Sequence, residues 1–190
     1  ISQIEKMISS WDPSSQTSEI NRNAGIKPVK VDPELFALIE RSKRISTLTQ
    51  GAFDISFGSI SKDIWHFDGS MTSWPDSAEV KSAVSLIDYN RIQLNKETQE
   101  VFLMDSGMRI GFGGIGKGYA ARKTADMLKS KGVNAGVVNA GGDLFCWGVQ
   151  PDGSPWIISI ADPDNEGQAI SKLPLQDMAA VTSGNYEKFI

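Results

Sequence analysis

Apolar residues at Ile1, Ile4, Met7 and Ile8 recur at helical intervals, so the chain opens inside an amphipathic helix. A segment upstream of Ile1 is therefore expected, and with it any targeting signal. The stretch that follows, "SSWDPSSQTSEINRNAG", gathers Ser, Asn, Asp and Gly around one aromatic, Trp11, and reads as a polar loop. Helical spacing returns in "VDPELFALIERSKRISTLT". There Asp32 stands at the N-cap, Pro33 at the first helical position, and Leu35, Leu38, Ile39 and Ile45 share one face. Gly51 and Gly58 in "GAFDISFGSI" end that helix, and the long loop "DGSMTSWPDSAE" leads to another near Pro75 to Val84.

The second half changes period. "RIQLNKETQEVFL" sets two short apolar runs around a polar turn, which predicts a hairpin. "RIGFGGIGKGYAARKTADMLKSKG" joins a glycine-rich turn to a helix. A strand through "NAGVVNA", a turn at "GGD" and strand-like runs at "LFCWG", "WIISI" and "MAAVTS" follow. Helices and strands are interleaved without a βαβα rhythm, so the expected class is α+β, with mixed or antiparallel sheets packed on helices.

Composition narrows the setting. The chain has 190 residues, 40% of them apolar, enough for a single domain over residues 1–190, expected to be cut short at both ends. A net charge of −4 with scattered basic residues argues against a nucleic-acid partner. Cys146 is the only cysteine, so there is no internal disulfide, and its apolar neighbours predict a buried strand thiol. No apolar run is long enough to span a membrane.

Gly111, Gly113 and Gly116 have the G-x-G-x-x-G spacing of a dinucleotide-binding turn, whose backbone N–H groups face a phosphate. The context fits only in part. The preceding "MDSGMRI" is short and polar for a central strand, and Asn139 falls where such a domain carries an acidic residue. Glycines for tight turning and close helix packing remain the alternative.

Taken together, "SSWDPSSQTSEINR", "TQGAFDISFGSI", "GGIGKGYAARKTADMLKSKGVNAGVVNAGGDL" and "TSGNYE" closely resemble, in order and spacing, the ApbE family of flavin transferases. The resemblance covers essentially the whole chain. It implies an α+β fold that is not a Rossmann fold. The implied activity is magnesium-dependent transfer of FMN from FAD to a threonine of an acceptor flavoprotein, with release of AMP. It also implies a bacterial lipoprotein facing the periplasm, held at the inner membrane by an N-terminal lipid anchor outside this stretch. Trp11 matches the aromatic beside the isoalloxazine ring, the alternative being a Trp that packs its loop onto the core. Ala52, Phe53 and Asp54 match the segment lining the FAD site, with Asp54 either accepting from the ligand or capping a turn. Lys117 matches a position near the dinucleotide, where it pairs with pyrophosphate or is simply a solvated helix-start lysine. Asn139, Gly141, Gly142 and Asp143 match a ligand-approaching turn, or are a structural turn. Thr182 opens the "TSG" segment. Gly114 matches a Mg2+ position and has only its carbonyl to offer.

Two departures stand out: Gly111 replaces an aspartate that contacts FAD in many members, and Asn185 replaces another aspartate. The family's catalytic histidine belongs to an H-x-x-D-P-x-T-G motif expected beyond Ile190, so no catalytic residue is assigned and this stretch is expected to bind flavin more readily than to transfer it. The sole histidine, His66, is read as structural. The rival activities are FAD hydrolysis at the same site, flavin binding without turnover, and an NAD-dependent oxidoreductase resting on the glycine spacing alone.

Overall fold

The computed structural model describes residues 1–60, 74–162, 165 and 168–182; the expectations for His66, Ser183, Gly184 and Asn185 lie outside the described residues. The chain divides into two compact units, Ile1–Gly114 and Ile115–Phe189.

The first unit begins with α1 (Ser2–Ile8), which buries Met7. The polar stretch after it is not all loop, because Gln16–Arg22 forms α2. Two local features explain the difference. The Ser15 hydroxyl caps the helix by accepting from Ser18 N at 3.0 Å, and Thr17 and Ile20 turn inward, with Thr17 Oγ1 donating to Met7 O at 2.8 Å. After the two-residue strand β1 (Val29–Lys30) comes α3 (Pro33–Leu48). Its buried stripe is Leu35, Leu38 and Ile39 as the periodicity predicts, continued by Ser42 and Ser46, while Ile45 is only partly covered. Both serines return their hydroxyls to the preceding turn, Ser42 to Leu38 O at 2.8 Å and Ser46 to Ser42 O at 3.0 Å, so no buried donor is left unsatisfied there. Asp32 occupies the N-cap position without capping through its side chain. It instead accepts from Gln16 Nε2 at 2.5 Å, while its own N–H donates to Gln16 Oε1 at 2.8 Å, tying α2 to α3.

A 3-10 turn (Ile55–Ser59) and α4 (Ser77–Val84) follow, the latter capped by Asp76. The hairpin of β2 (Ile92–Asn95) and β3 (Glu100–Leu103) pairs Ile92 with Leu103 and Asn95 with Glu100. With β1 it makes an antiparallel sheet of order β1-β3-β2. Its open end is closed by an ion pair between Arg91 Nε and Asp105 Oδ2 at 2.6 Å. Ile20, Leu35, Ile39, Ile92, Leu103 and Ile110 are among the fully buried side chains of this unit.

In the second unit α5 (Gly116–Ser130) lies on a sheet of order β4-β5-β8, with β4 at Gly136–Ala140, β5 at Asp143–Trp147 and β8 at Ala179–Ala180. Ala121 and Ala125 let the helix come close to Phe145 and Trp147, and the Arg122 guanidinium sits 4.7 Å from the Phe145 ring centre. Cys146 is buried and free, as its neighbours predict. β6 (Trp156–Ala161) pairs antiparallel with β7 (Ala169–Leu175) in a separate ribbon. Sequence patterning misses β7, because Lys172 and Pro174 interrupt its alternation. A two-stranded ribbon leaves each strand an open edge, which tolerates the proline. Every described pairing is antiparallel, so the class is α+β as expected.

Candidate functional site

The first unit holds a cavity of about 640 Å³, within the range of small-molecule sites. Three segments wall it, the Trp11 loop, residues 51–60 and residues 109–114, with Ile87 added from outside them. Each is held by local bonding that the sequence dictates.

The Trp11 loop is a serine and aspartate network. Ser9 Oγ accepts from Trp11 N at 3.2 Å and Asp12 N at 3.1 Å, and Asp12 Oδ1 accepts from Ser14 N at 2.8 Å and Ser14 Oγ at 2.7 Å. The Ser14 hydroxyl and N–H hold the Asp12 carboxyl below its ordinary range. Ser15 Oγ closes the loop onto Ser9 O. On this fixed support Trp11 is 77% exposed, so it does not pack its loop onto the core.

In the second wall, Asp54 is the N-cap of the 3-10 turn. Its Oδ1 accepts from Ser56 N at 2.8 Å and Ser56 Oγ at 2.7 Å, and its Oδ2 accepts from Tyr89 N at 2.9 Å. Both oxygens thus serve the fold, which is the turn-capping alternative. Ala52 and Phe53 line the cavity beside it, and Phe57, 53% exposed, adds a second phenyl ring.

The third wall is pinned residue by residue. Arg109 N donates to Ser59 Oγ at 2.9 Å while Ser59 Oγ donates to Arg109 O at 3.1 Å. Asn21 brackets Ile110 in the same way, accepting from its N–H at 2.8 Å and donating to its carbonyl at 3.0 Å. Gly111 N donates to Ile55 O at 2.9 Å. Gly58 makes the approach possible, since a Cβ there would stand 2.7 Å from Ile110 C and 2.8 Å from Gly111 N. The Phe53 ring lies against Gly114, 3.5 Å from where a Cβ would be. Of the lining residues the sequence marks seven, Trp11, Ala52, Phe53, Asp54, Gly111, Gly113 and Gly114, and among those it misses are Arg109, Gly58 and Phe57.

The other marked residues lie in the second unit. Lys117 Nζ donates to Gly141 O at 3.3 Å, Asn139 Oδ1 accepts from Gly142 N at 2.8 Å, and Gly141 and Gly142 adopt φ of 66° and 100°. Asp143 Oδ2 lies 3.6 Å from where a Gly118 Cβ would be, beside the first turn of α5, whose dipole favours a carboxylate. Thr182 is exposed, two residues past the Leu144–Ala180 pair.

The donor set for a divalent ion is incomplete here. Among the described residues no three His, Cys, Asp or Glu side chains gather, and Gly114 contributes at most one carbonyl. The described residues do not by themselves fit a magnesium site.

The geometry is that of an α+β fold with a cavity lined in part by aromatic rings, and its described sheets are antiparallel, unlike a dinucleotide-binding parallel sheet. The sequence matches the ApbE family over residues 1–190, and the chain belongs to that family. An FAD:protein FMN transferase of Klebsiella pneumoniae (strain 342) is 32% identical over 176 residues, covering 92% of this chain and 54% of its own. One of Treponema pallidum (strain Nichols) is 29% identical over 203 residues, covering 100% and 56%. The crystal structure of the ApbE protein from Thermotoga maritima MSB8 superposes with a TM-score of 0.87 at 31% identity, over 97% of this chain and 60% of that one. The flavin transferase ApbE from Vibrio cholerae, at 23% identity and a TM-score of 0.86 over 97% of this chain and 60% of its own, shares the fold. The chain spans about half the length of the curated relatives it matches.

Proposed function

We propose that the protein binds FAD and passes its FMN half to a hydroxyl of an acceptor protein. The observation that carries this reading is the cavity itself: Trp11, Phe53 and Phe57 wall a volume of about 640 Å³ with flat, polarizable faces, in a chain of the ApbE family. Relatives of that family are named FAD:protein FMN transferase. The isoalloxazine ring takes the aromatic side of the cavity.

The acceptor is a threonine of another flavoprotein. Its oxygen attacks the phosphorus on the FMN side of the pyrophosphate, the bond from that phosphorus to the bridging oxygen breaks, and AMP leaves with the electron pair. The hydroxyl proton passes to a base that no described residue is assigned to supply. By family resemblance the transfer depends on magnesium. The reading also puts the protein on the periplasmic side of a bacterial inner membrane as a lipoprotein. No described helix is long and apolar enough to cross a membrane.

Flavin fluorescence quenching tests the first half, with FAD expected to bind more tightly than FMN or NAD. NAD binding as tightly as FAD would remove the flavin reading. Incubation with FAD, magnesium and a threonine-bearing acceptor tests the second half, with fluorescent flavin on the acceptor in a denaturing gel as the expected outcome. FMN and AMP released with no labelled acceptor would make the protein an FAD hydrolase.

A further inference from the structure

Of the described charged residues lining the cavity, Asp54 has both carboxylate oxygens engaged by Ser56 and Tyr89, which leaves Arg109 as the charge not spent on the fold. Arg109 is exposed, and no ion pair joins it to any carboxylate among the described residues. Its backbone is fixed from both sides by the single hydroxyl of Ser59, a buried residue, and the next residue is fixed from both sides by Asn21. The main chain therefore presents a guanidinium at the wall of a largely apolar cavity, with no carboxylate among the described residues paired to it. An unpaired cation beside apolar walls is of little use to the fold and well suited to an anion, because a guanidinium binds phosphate oxygens through two parallel N–H bonds.

We infer that Arg109 anchors the phosphate groups of the flavin nucleotide and makes the cavity discriminate nucleotide from free riboflavin. This rests on the flavin reading proposed above. The aromatic walls take the ring, which riboflavin and FAD share, and Arg109 takes the phosphates, which only the nucleotides carry. Ser59 is the positioning residue that sets where the guanidinium starts.

Arg109→Gln and Arg109→Lys, each checked for an unchanged melting temperature, are titrated with FAD, FMN and riboflavin by fluorescence quenching. Arg109→Gln is expected to weaken FAD and FMN roughly 10-fold or more, the scale of a lost charge-assisted hydrogen bond, with riboflavin held within about twofold. Arg109→Lys should recover part of the loss, since it keeps the charge without the fork. Raising ionic strength should weaken FAD binding to the unaltered protein more than to Arg109→Gln. Unchanged FAD affinity in Arg109→Gln, or an equal loss for riboflavin, overturns the inference and leaves the flavin reading standing. An unaltered protein that binds riboflavin as tightly as FAD does the same. One that binds no flavin defeats the flavin reading, and this inference with it.

Discussion

Gly58 and Gly111 face each other across the cavity wall, yet the structure predicts opposite outcomes when each becomes alanine. A Cβ on Gly58 would stand 2.7 Å from Ile110 C, 2.8 Å from Gly111 N and 3.0 Å from Ile110 O, all of them backbone atoms. None can rotate away, so the 109–111 segment or the 3-10 turn has to move. That movement opposes bonds holding the two together, above all Gly111 N to Ile55 O at 2.9 Å. Overpacking of about 1–3 kcal/mol, plus about 1 kcal/mol for one weakened hydrogen bond, gives roughly 2–4 kcal/mol. For a chain of this size that lowers the melting temperature by on the order of 10 °C. Gly111→Ala is the control. Its Cβ would meet only Gly58 Cα, at 3.7 Å, which is ordinary van der Waals contact, and its φ does not require glycine, so the expected change is about 0.5 kcal/mol or less. Thermal melts of the two variants side by side decide the matter, with FAD titration as a second readout of the cavity. Equal destabilisation, or a Gly111→Ala that melts lower than Gly58→Ala, would refute the steric argument.

Asp54→Asn should cost about 1 kcal/mol in urea titration, because its amide keeps an acceptor for Ser56 but presents a donor to Tyr89 N. Unaltered stability would mean that the carboxylate is not the cap the hydrogen bonds describe. Trp11→Ala should leave the melting temperature unchanged and weaken FAD by about 1–2 kcal/mol, the scale of a lost aromatic contact. Lys43 Nζ donates to Ile92 O, and burial pulls its pKa below the ordinary 10.5, ahead of the opposing pull of Asp88 and Asp54. The charged form is thus disfavoured by folding. The stability of the unaltered protein relative to Lys43→Met should therefore rise as pH climbs through that lowered value toward 10.5, and chemical denaturation across an alkaline pH series reads it.

Sequence periodicity located α3, which buries Leu35, Leu38 and Ile39 on one face behind a proline at its first turn, and the β2–β3 hairpin, whose two short apolar runs flank a polar turn. It misread residues 16–22 because the polar composition of α2 hid two inward side chains, Thr17 and Ile20, and a serine cap. Motif reading found the residues of the cavity that lie in contiguous signatures. Arg109 stood at the edge of a glycine run without any pattern of its own. Asn21, which holds Ile110, is joined to the site by a bond across 89 residues that no local pattern encodes.

The G-x-G-x-x-G spacing shows how one pattern can serve a different architecture. In a dinucleotide-binding sheet the three glycines turn a strand into the helix that receives the phosphate. Here Gly111 is bonded to Ile55 O and lines the cavity, as Gly113 does, whereas Gly116 opens α5 in the second compact unit. The spacing therefore straddles a structural boundary instead of describing one turn. Gly58, outside the pattern altogether, is the cavity glycine whose Cβ would run into the backbone that frames the cavity, 2.7 Å from Ile110 C. A glycine's meaning is thus set by the backbone that approaches it, and at this site Ile110 and Gly111 make that approach.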